Sequence, residues 1–270
     1  MKYYRLASIF IFSILFGCVH VERIDIVGKT IPVDGYELVW ADEFNGANLD
    51  MMKWGYRNLG PRRKAINVKN TVSLDGKGHL VLTTKRIGNE YHTAMIGTQG
   101  KFETTFGYFE CRAKLQKEIG HWSAFWLMCP NAYKGNPKVN GAEIDIFENY
   151  RQNIVVHTVH WKITDSVHKK RNSGKRLLAA KGDSYHTFGL EWTAEKYTFY
   201  INGKKSWELT EGVSHKPEYI ILSLEVDSWA GDITKATLPD HLYVDYVRVY
   251  TKKEIKAERG FPFNANKLSE

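Results

Sequence analysis

The run Gly141-Ala142-Glu143-Ile144-Asp145-Ile146-Phe147-Glu148-Asn149-Tyr150 limits what this chain can fold into. Its Ile and Phe side chains demand burial, yet three carboxylates are threaded among them, and a core does not accept unpaired charge. A strand resolves the conflict, because successive side chains point to opposite faces: one face enters a core and the other meets something different. Regular alternation groups Glu143 with Asp145 but turns Glu148 away. One extra residue near Ile146-Phe147, a β-bulge, switches the face and brings all three acids into line. Acids gathered on one face repel one another, and such clusters mark sites of reaction. The alternative, an edge strand with solvated acids, has to reckon with Ile144, Ile146 and Phe147 requiring burial on the opposite face.

Most of the chain follows the same period of two. Tyr36 to Trp40 alternates. So does Phe109-Glu110-Cys111-Arg112-Ala113-Lys114-Leu115, with Phe109, Cys111, Ala113 and Leu115 on one side. Asn202-Gly203 is a hairpin turn between two β-rich runs, and Asp75-Gly76-Lys77-Gly78-His79 is another. With 270 residues, 43% hydrophobic and 13% aromatic, one all-β domain can fill a single large core. Trp40, Trp54 and Trp192 are expected in that core. The segment from Ser166 to Lys181 reads as a basic loop near the mouth of a cleft.

The net charge of +8 is spread too widely to form a nucleic-acid stripe, so no nucleic-acid partner is expected. No phosphate-cradling loop, Ser-His-Asp set or zinc-binding helix competes for the chemistry, and no cofactor is required. Met1 to Cys18 has the form of an export leader, with Lys2 and Arg5 before an apolar run too short to anchor in a bilayer. Leu15-Phe16-Gly17-Cys18 is similar to a bacterial lipoprotein cleavage box. That predicts lipid on Cys18, membrane attachment through it, and an outer-membrane or cell-surface location; an ordinary signal peptide is the competing reading. Residues 19–34 then form a tether, 35–252 the catalytic domain and 253–270 a tail without a motif. Cys111 and Cys129 remain; they could pair in an exported protein, but both sit in apolar runs that equally suit buried thiols.

Glu143-Ile144-Asp145-Ile146-Phe147-Glu148 resembles the catalytic signature of glycoside hydrolase family 16 in its bulged form. The resemblance extends from about Tyr36 to Tyr250. It includes Trp40-Ala41-Asp42-Glu43-Phe44, Gly107 to Lys114, His121-Trp122-Ser123-Ala124-Phe125-Trp126 and Val244 to Tyr250. It implies a concanavalin-like β-sandwich, or jelly roll, of two curved antiparallel sheets with a concave cleft. It also implies a monomer acting on an oligo- or polysaccharide. By that resemblance Glu143 is the nucleophile, Glu148 the acid/base and Asp145 the assisting residue, held to Glu143 by a hydrogen bond. Trp122, Trp126, His160, Trp161, Asn58, Arg62, Glu225 and Trp229 are the expected sugar contacts, and Glu43 with Asp245 would hold a structural calcium.

This chain departs from the common laminarinase pattern in two places. Lys138-Val139-Asn140 stands where a Trp would precede Gly141, and Leu222 to Ala230 replaces a Gly-rich stretch. The expectation is therefore a retaining endo-β-galactosidase of galactose-containing chains, either poly-N-acetyllactosamine on mucin-type O-glycans or an algal galactan. An endo-β-1,3-glucanase is the alternative. A non-catalytic glycan-binding protein on the same fold is the second.

Overall fold

The computed structural model describes residues 31–164, 166–178 and 184–252. The leader, Cys18, most of the tether and the tail after Lys252 lie outside the described residues. Two antiparallel sheets face each other. The sheet that carries the cleft runs Gly55–Tyr56, Glu90–Gly97, Glu218–Val226, His121–Met128, Glu143–Arg151, Ile154–Thr164 and Val167–Asn172 in spatial order. The second sheet runs Lys204–Leu209, Tyr197–Ile201, His186–Trp192, Gly107–Lys114 and Asp240–Lys252. The far edge of its last strand is shared by Leu80–Ile87 at one end and Tyr36–Asp42 at the other. A hairpin from Leu80–Ile87 into Glu90–Gly97 joins the two layers. The all-β fold expected from the alternation, and the sandwich implied by the family resemblance, are observed.

Between the sheets, Phe125, Ile144, Phe147, Val155 and Leu222 from one layer meet Phe109, Phe188, Leu190, Trp192 and Val247 from the other, all of them fully buried. Each such side chain stabilises the fold by about 1.5–3 kcal/mol relative to exposure. Trp54 and Trp192 are core residues as expected, whereas Trp40 is only partly buried and packs against the core through Trp54. Cys111 and Cys129 are both buried, and both are free thiols.

The acidic strand is bulged where the sequence requires it. Asp145 and Glu148 pair with Thr158 and Val156, three steps against two. On the other flank, Asp145 and Phe147 face the consecutive residues Trp126 and Phe125. Ile146 is the inserted residue, so Ile146 and Phe147 both enter the core and Glu148 returns to the acidic face. The carbonyl of Ile146 accepts a hydrogen bond from Nδ1 of the buried His157, whose Nε2 meets Ser206 Oγ at 2.9 Å. The strand also starts under constraint. Gly141 has φ +86°, and a Cβ there would come within 2.3 Å of Cys129 Cβ, so only glycine permits the approach.

One segment differs from expectation. Val167–Asn172, within the stretch read as a loop, is a strand paired along Ile154–Thr164, and Arg176–Leu177 pairs further along the same neighbour. After Val167 it carries only His, Lys, Arg and Asn, so the hydrophobic alternation that identifies a strand is missing although the backbone is regular.

Phe147 packs on Phe188 across the sandwich with ring centroids 4.2 Å apart. Phe147→Ala should lower the unfolding free energy by about 3–5 kcal/mol in urea titrations. A loss below about 1 kcal/mol would show that the bulge is not anchored through this ring.

Candidate active site

Glu143, Asp145 and Glu148 come from one strand, and the neighbouring strands supply their surroundings. From Ile154–Thr164, Thr158 and His160 face the acids at alternate positions while His157, Val159 and Trp161 face the core. From Val167–Asn172, Lys170 lies opposite His160 and His168 opposite Lys162. From the other flank, His121–Met128 contributes Trp122, Ala124 and Trp126, and Glu218–Val226 contributes Ser223 and Glu225. Trp122, His160, Lys162, His168 and Lys170, with Arg63, Tyr133 and Trp229, line an open cleft of about 660 Å³ that contains Glu143 and Glu148, and Ala124, Trp126, Ser223 and Glu225 line a smaller recess of about 70 Å³ beside the same acids.

The three acids receive different support. Tyr133 donates its hydroxyl hydrogen to Glu143 Oε2. Thr158 Oγ1 donates to Glu148 Oε2 at 2.9 Å. Asp145 is 5% exposed. The hydrogen bond to Glu143 expected of it is not formed; Tyr133, on a loop the sequence did not single out, makes that bond instead. Burial raises all three carboxyl pKa values. Tyr133 opposes the rise at Glu143, and Thr158 followed by Lys170 opposes it at Glu148. Asp145, surrounded by the charges of Glu148 and Glu143, is pushed up well beyond the ordinary range. Three such carboxyls in one cleft titrate as a set and retain protons where isolated acids would have lost them.

His160 has its Nε2 3.8 Å from Asp145 Oδ2 and 4.0 Å from Glu143 Oε1. Burial, with the positive charges of Lys170 and His168, pulls its pKa down to about 4. At neutral pH it is therefore an uncharged imidazole beside the acids and not a member of an ion pair. It is held by His168, ring to ring at 5.2 Å and Nδ1 to Nε2 at 3.2 Å. Glu143, Asp145 and His160 place ligand atoms within 4.8 Å of one another, close enough to share a cation, but two of the three are the carboxylates that acid–base chemistry needs.

Most of the expected sugar contacts reach this face. Trp122 and Trp126 do, yet neither offers a free ring. Trp122 is covered by Trp229 at 4.9 Å and by the Arg63 guanidinium at 5.1 Å, and Trp126 donates Nε1–H to Ser223 Oγ at 3.1 Å along the floor. Trp229, 45% exposed and flanked by Tyr150 at 5.0 Å, is the open indole platform. Glu225 lines the cleft but is gripped by Arg62 at 2.9 Å and Arg63 at 2.8 Å, and Arg63 also reaches Asp227 at 3.1 Å. Asn58 sits apart from the lining residues, with its amide on Met95 Sδ. Trp161 is a correction: strict alternation after His160 sends it into the core, where its ring packs against Gly212. The Glu43 and Asp245 pair does not fit a calcium ion. Arg248 takes both oxygens of Glu43 at 2.8 Å and Arg112 holds Oδ2 of Asp245, so each carboxylate is already neutralised by an arginine. Lys162, His168, Lys170, Tyr133 and Thr158 were not singled out, because none belongs to a motif; strand pairing places four of them, and the loop after Met128 places Tyr133.

A family model described as "Beta-porphyranase A-D, GH16 domain" matches residues 38–252. The chain belongs to glycoside hydrolase family 16. It is 32% identical over 250 residues to a keratan-sulfate endo-1,4-beta-galactosidase of Sphingobacterium multivorum, covering 82% of this chain but only 56% of that protein. It is 27% identical to a beta-glucanase of Rhodothermus marinus, covering 89% and 93% of the two chains. Among solved structures it is similar, with TM-score 0.73 and 26% identity over 86% of this chain and 96% of the other, to one from work on endo-acting O-glycanases that gut bacteria express to initiate mucin breakdown. An endo-beta-1,3-glucanase from Pyrococcus furiosus aligns with TM-score 0.71 and 28% identity over 83% of this chain and 98% of that one. These relatives thus include an endo-1,4-beta-galactosidase and an endo-beta-1,3-glucanase.

If Trp229 is the platform on which a pyranose ring stacks, Trp229→Ala should raise KM roughly three- to tenfold with little change in kcat. An unchanged KM would remove Trp229 from the substrate path.

Proposed function

We propose that this chain is a retaining endo-β-galactosidase of galactose-containing glycans. The observation that carries the reading is the bulged strand that sets Glu143, Asp145 and Glu148 on one face of an open cleft in a family 16 sandwich. Glu143 attacks the anomeric carbon as the glycosidic C–O bond breaks, and Glu148 gives its proton to the departing oxygen. Glu148 then takes a proton from water, whose oxygen displaces the Glu143 carboxylate and restores the original configuration. Asp145, buried between the two, keeps a proton in the set so that Glu148 can serve as the acid near neutral pH. The neutral His160 adds polarity without stabilising all three charges at once.

The galactose preference is supported by the similarity to the keratan-sulfate endo-galactosidase and to the porphyranase model. The basic flank of Lys162, His168 and Lys170 suits a chain bearing anionic groups. The endo-β-1,3-glucanase reading is kept because the glucanase relatives are covered almost end to end. A purely glycan-binding role leaves three clustered, mutually repelling acids without a use. The leader supports a further part of this proposal, that the mature protein is a lipoprotein attached through Cys18 at the outer membrane.

Glu143→Gln and Glu148→Gln should each cut kcat by at least about a thousandfold while leaving the unfolding midpoint in place. Turnover surviving in either variant would refute its assigned role. For the substrate, incubation with mucin O-glycans carrying poly-N-acetyllactosamine, agarose, porphyran and laminarin, followed by product sizing, should yield oligosaccharides from a galactose-containing chain and none from laminarin. The reverse pattern would establish the glucanase reading.

A further inference from the structure

Tyr133 lies on the loop between the strand ending at Met128 and the short helix Pro137–Asn140, and its ring forms part of the cleft lining. Its hydroxyl meets one oxygen of Glu143, Oε2. The other oxygen, Oε1, accepts no hydrogen bond among the described residues, and its nearest basic neighbour is His160 Nε2 at 4.0 Å. The ring is steadied at its side by His168, with centroids 5.9 Å apart.

We propose that Tyr133 is a positioning residue that fixes which oxygen of the nucleophile attacks: Oε2 is held by the phenol and Oε1 forms the bond to the sugar. This rests on the reading of Glu143 as nucleophile and adds a residue to it. When Oε1 bonds to the anomeric carbon, the carboxylate becomes an ester and its remaining oxygen, Oε2, becomes the carbonyl. The phenol that stabilised the anion stays on that oxygen throughout, so the step needs no proton transfer at Tyr133. Burial and the Glu143 charge push the phenol pKa upward, so it stays a donor at every working pH.

Removing the donor has a definite sign. The hydrogen bond favours the ionised form of Glu143, so its loss raises that carboxyl's pKa, and a larger share of enzyme is protonated and inert on the acid side. The other charged groups facing Glu143 stay in place in the variant. They are Asp145 and Glu148 on its own strand, His160 and Lys170 on the two strands to one side, Glu225 on the other flank, Arg63 from the rim and Glu218 beneath Ala142. Tyr133→Phe should therefore move the acid limb of the kcat/KM–pH profile upward by about one pH unit, lower plateau kcat/KM about tenfold and leave the basic limb unmoved. The unfolding midpoint, measured alongside, should not change for this partly exposed ring. A uniform loss at all pH values, or a profile identical to that of the parent, would overturn the proposal. Failure of the nucleophile reading would show separately, as turnover retained by Glu143→Gln.

Discussion

The site depends on one backbone irregularity, the extra residue at Ile146, and on the groups that make it affordable. A bulge leaves part of the ladder unpaired, and an unpaired buried carbonyl costs on the order of 1–3 kcal/mol. Here the Ile146 carbonyl is met by His157, a fully buried imidazole whose pKa burial lowers to about 4, so it stays neutral and its other nitrogen is satisfied by Ser206. Ile146 and Phe147 then occupy consecutive core positions, which no regular strand allows, and Glu148 is delivered to the same face as Glu143 and Asp145. The apolar filling of the sandwich and the acidic lining of the cleft are two consequences of the same inserted residue.

Concentrating three carboxylates has an electrostatic consequence that the two flanks of the cleft meet differently. On the Glu225 side, two arginines bind that glutamate and Asp227, so positive charge there is already matched by acids. On the other side, two paired strands set His160 opposite Lys170 and Lys162 opposite His168. Each pair sets a lysine across from an imidazole, so the two ammonium groups stand on alternate rungs of this bank. That charge offsets the acids: Lys170 opposes the rise in pKa of both Asp145 and Glu148. The cleft is thus asymmetric in charge, matched along one bank and cationic along the other.

Much of this was legible in the sequence. The acids and their bulge were readable because burial and charge conflict within ten contiguous residues, and only one local geometry relieves the conflict. The all-β character was readable from alternation, and the two-layer arrangement from the family resemblance. What escaped notice came from positions where pattern and environment part company. Val167–Asn172 forms a strand with no apolar face to announce it, and its place in the sheet comes from pairing along a neighbour that is itself half solvent-facing. Trp161 carries the expected residue type beside the expected His, but strict alternation sends the indole to the other side of the sheet from His160. Family pattern placed the pair together; backbone geometry separates them.

The distinction between what a local run encodes and what only assembly creates also explains why the chemistry was easier to read than the substrate. The acids share one strand, so their relation survives in sequence order. The cleft wall draws Arg63 from a rim hairpin, Trp122 from one strand, Tyr133 from a loop, His168 from another strand and Trp229 from a short helical turn. No spacing in the chain links those five positions; only the folded arrangement of strands and loops does. Tyr133 is the clearest case, since ten residues before Glu143 it belongs to no pattern, and only the fold brings its hydroxyl onto the carboxylate. Selectivity for one glycan over another is accordingly carried by long-range pairing, and a change of one loop or one edge strand can alter it while the acidic strand remains as it is.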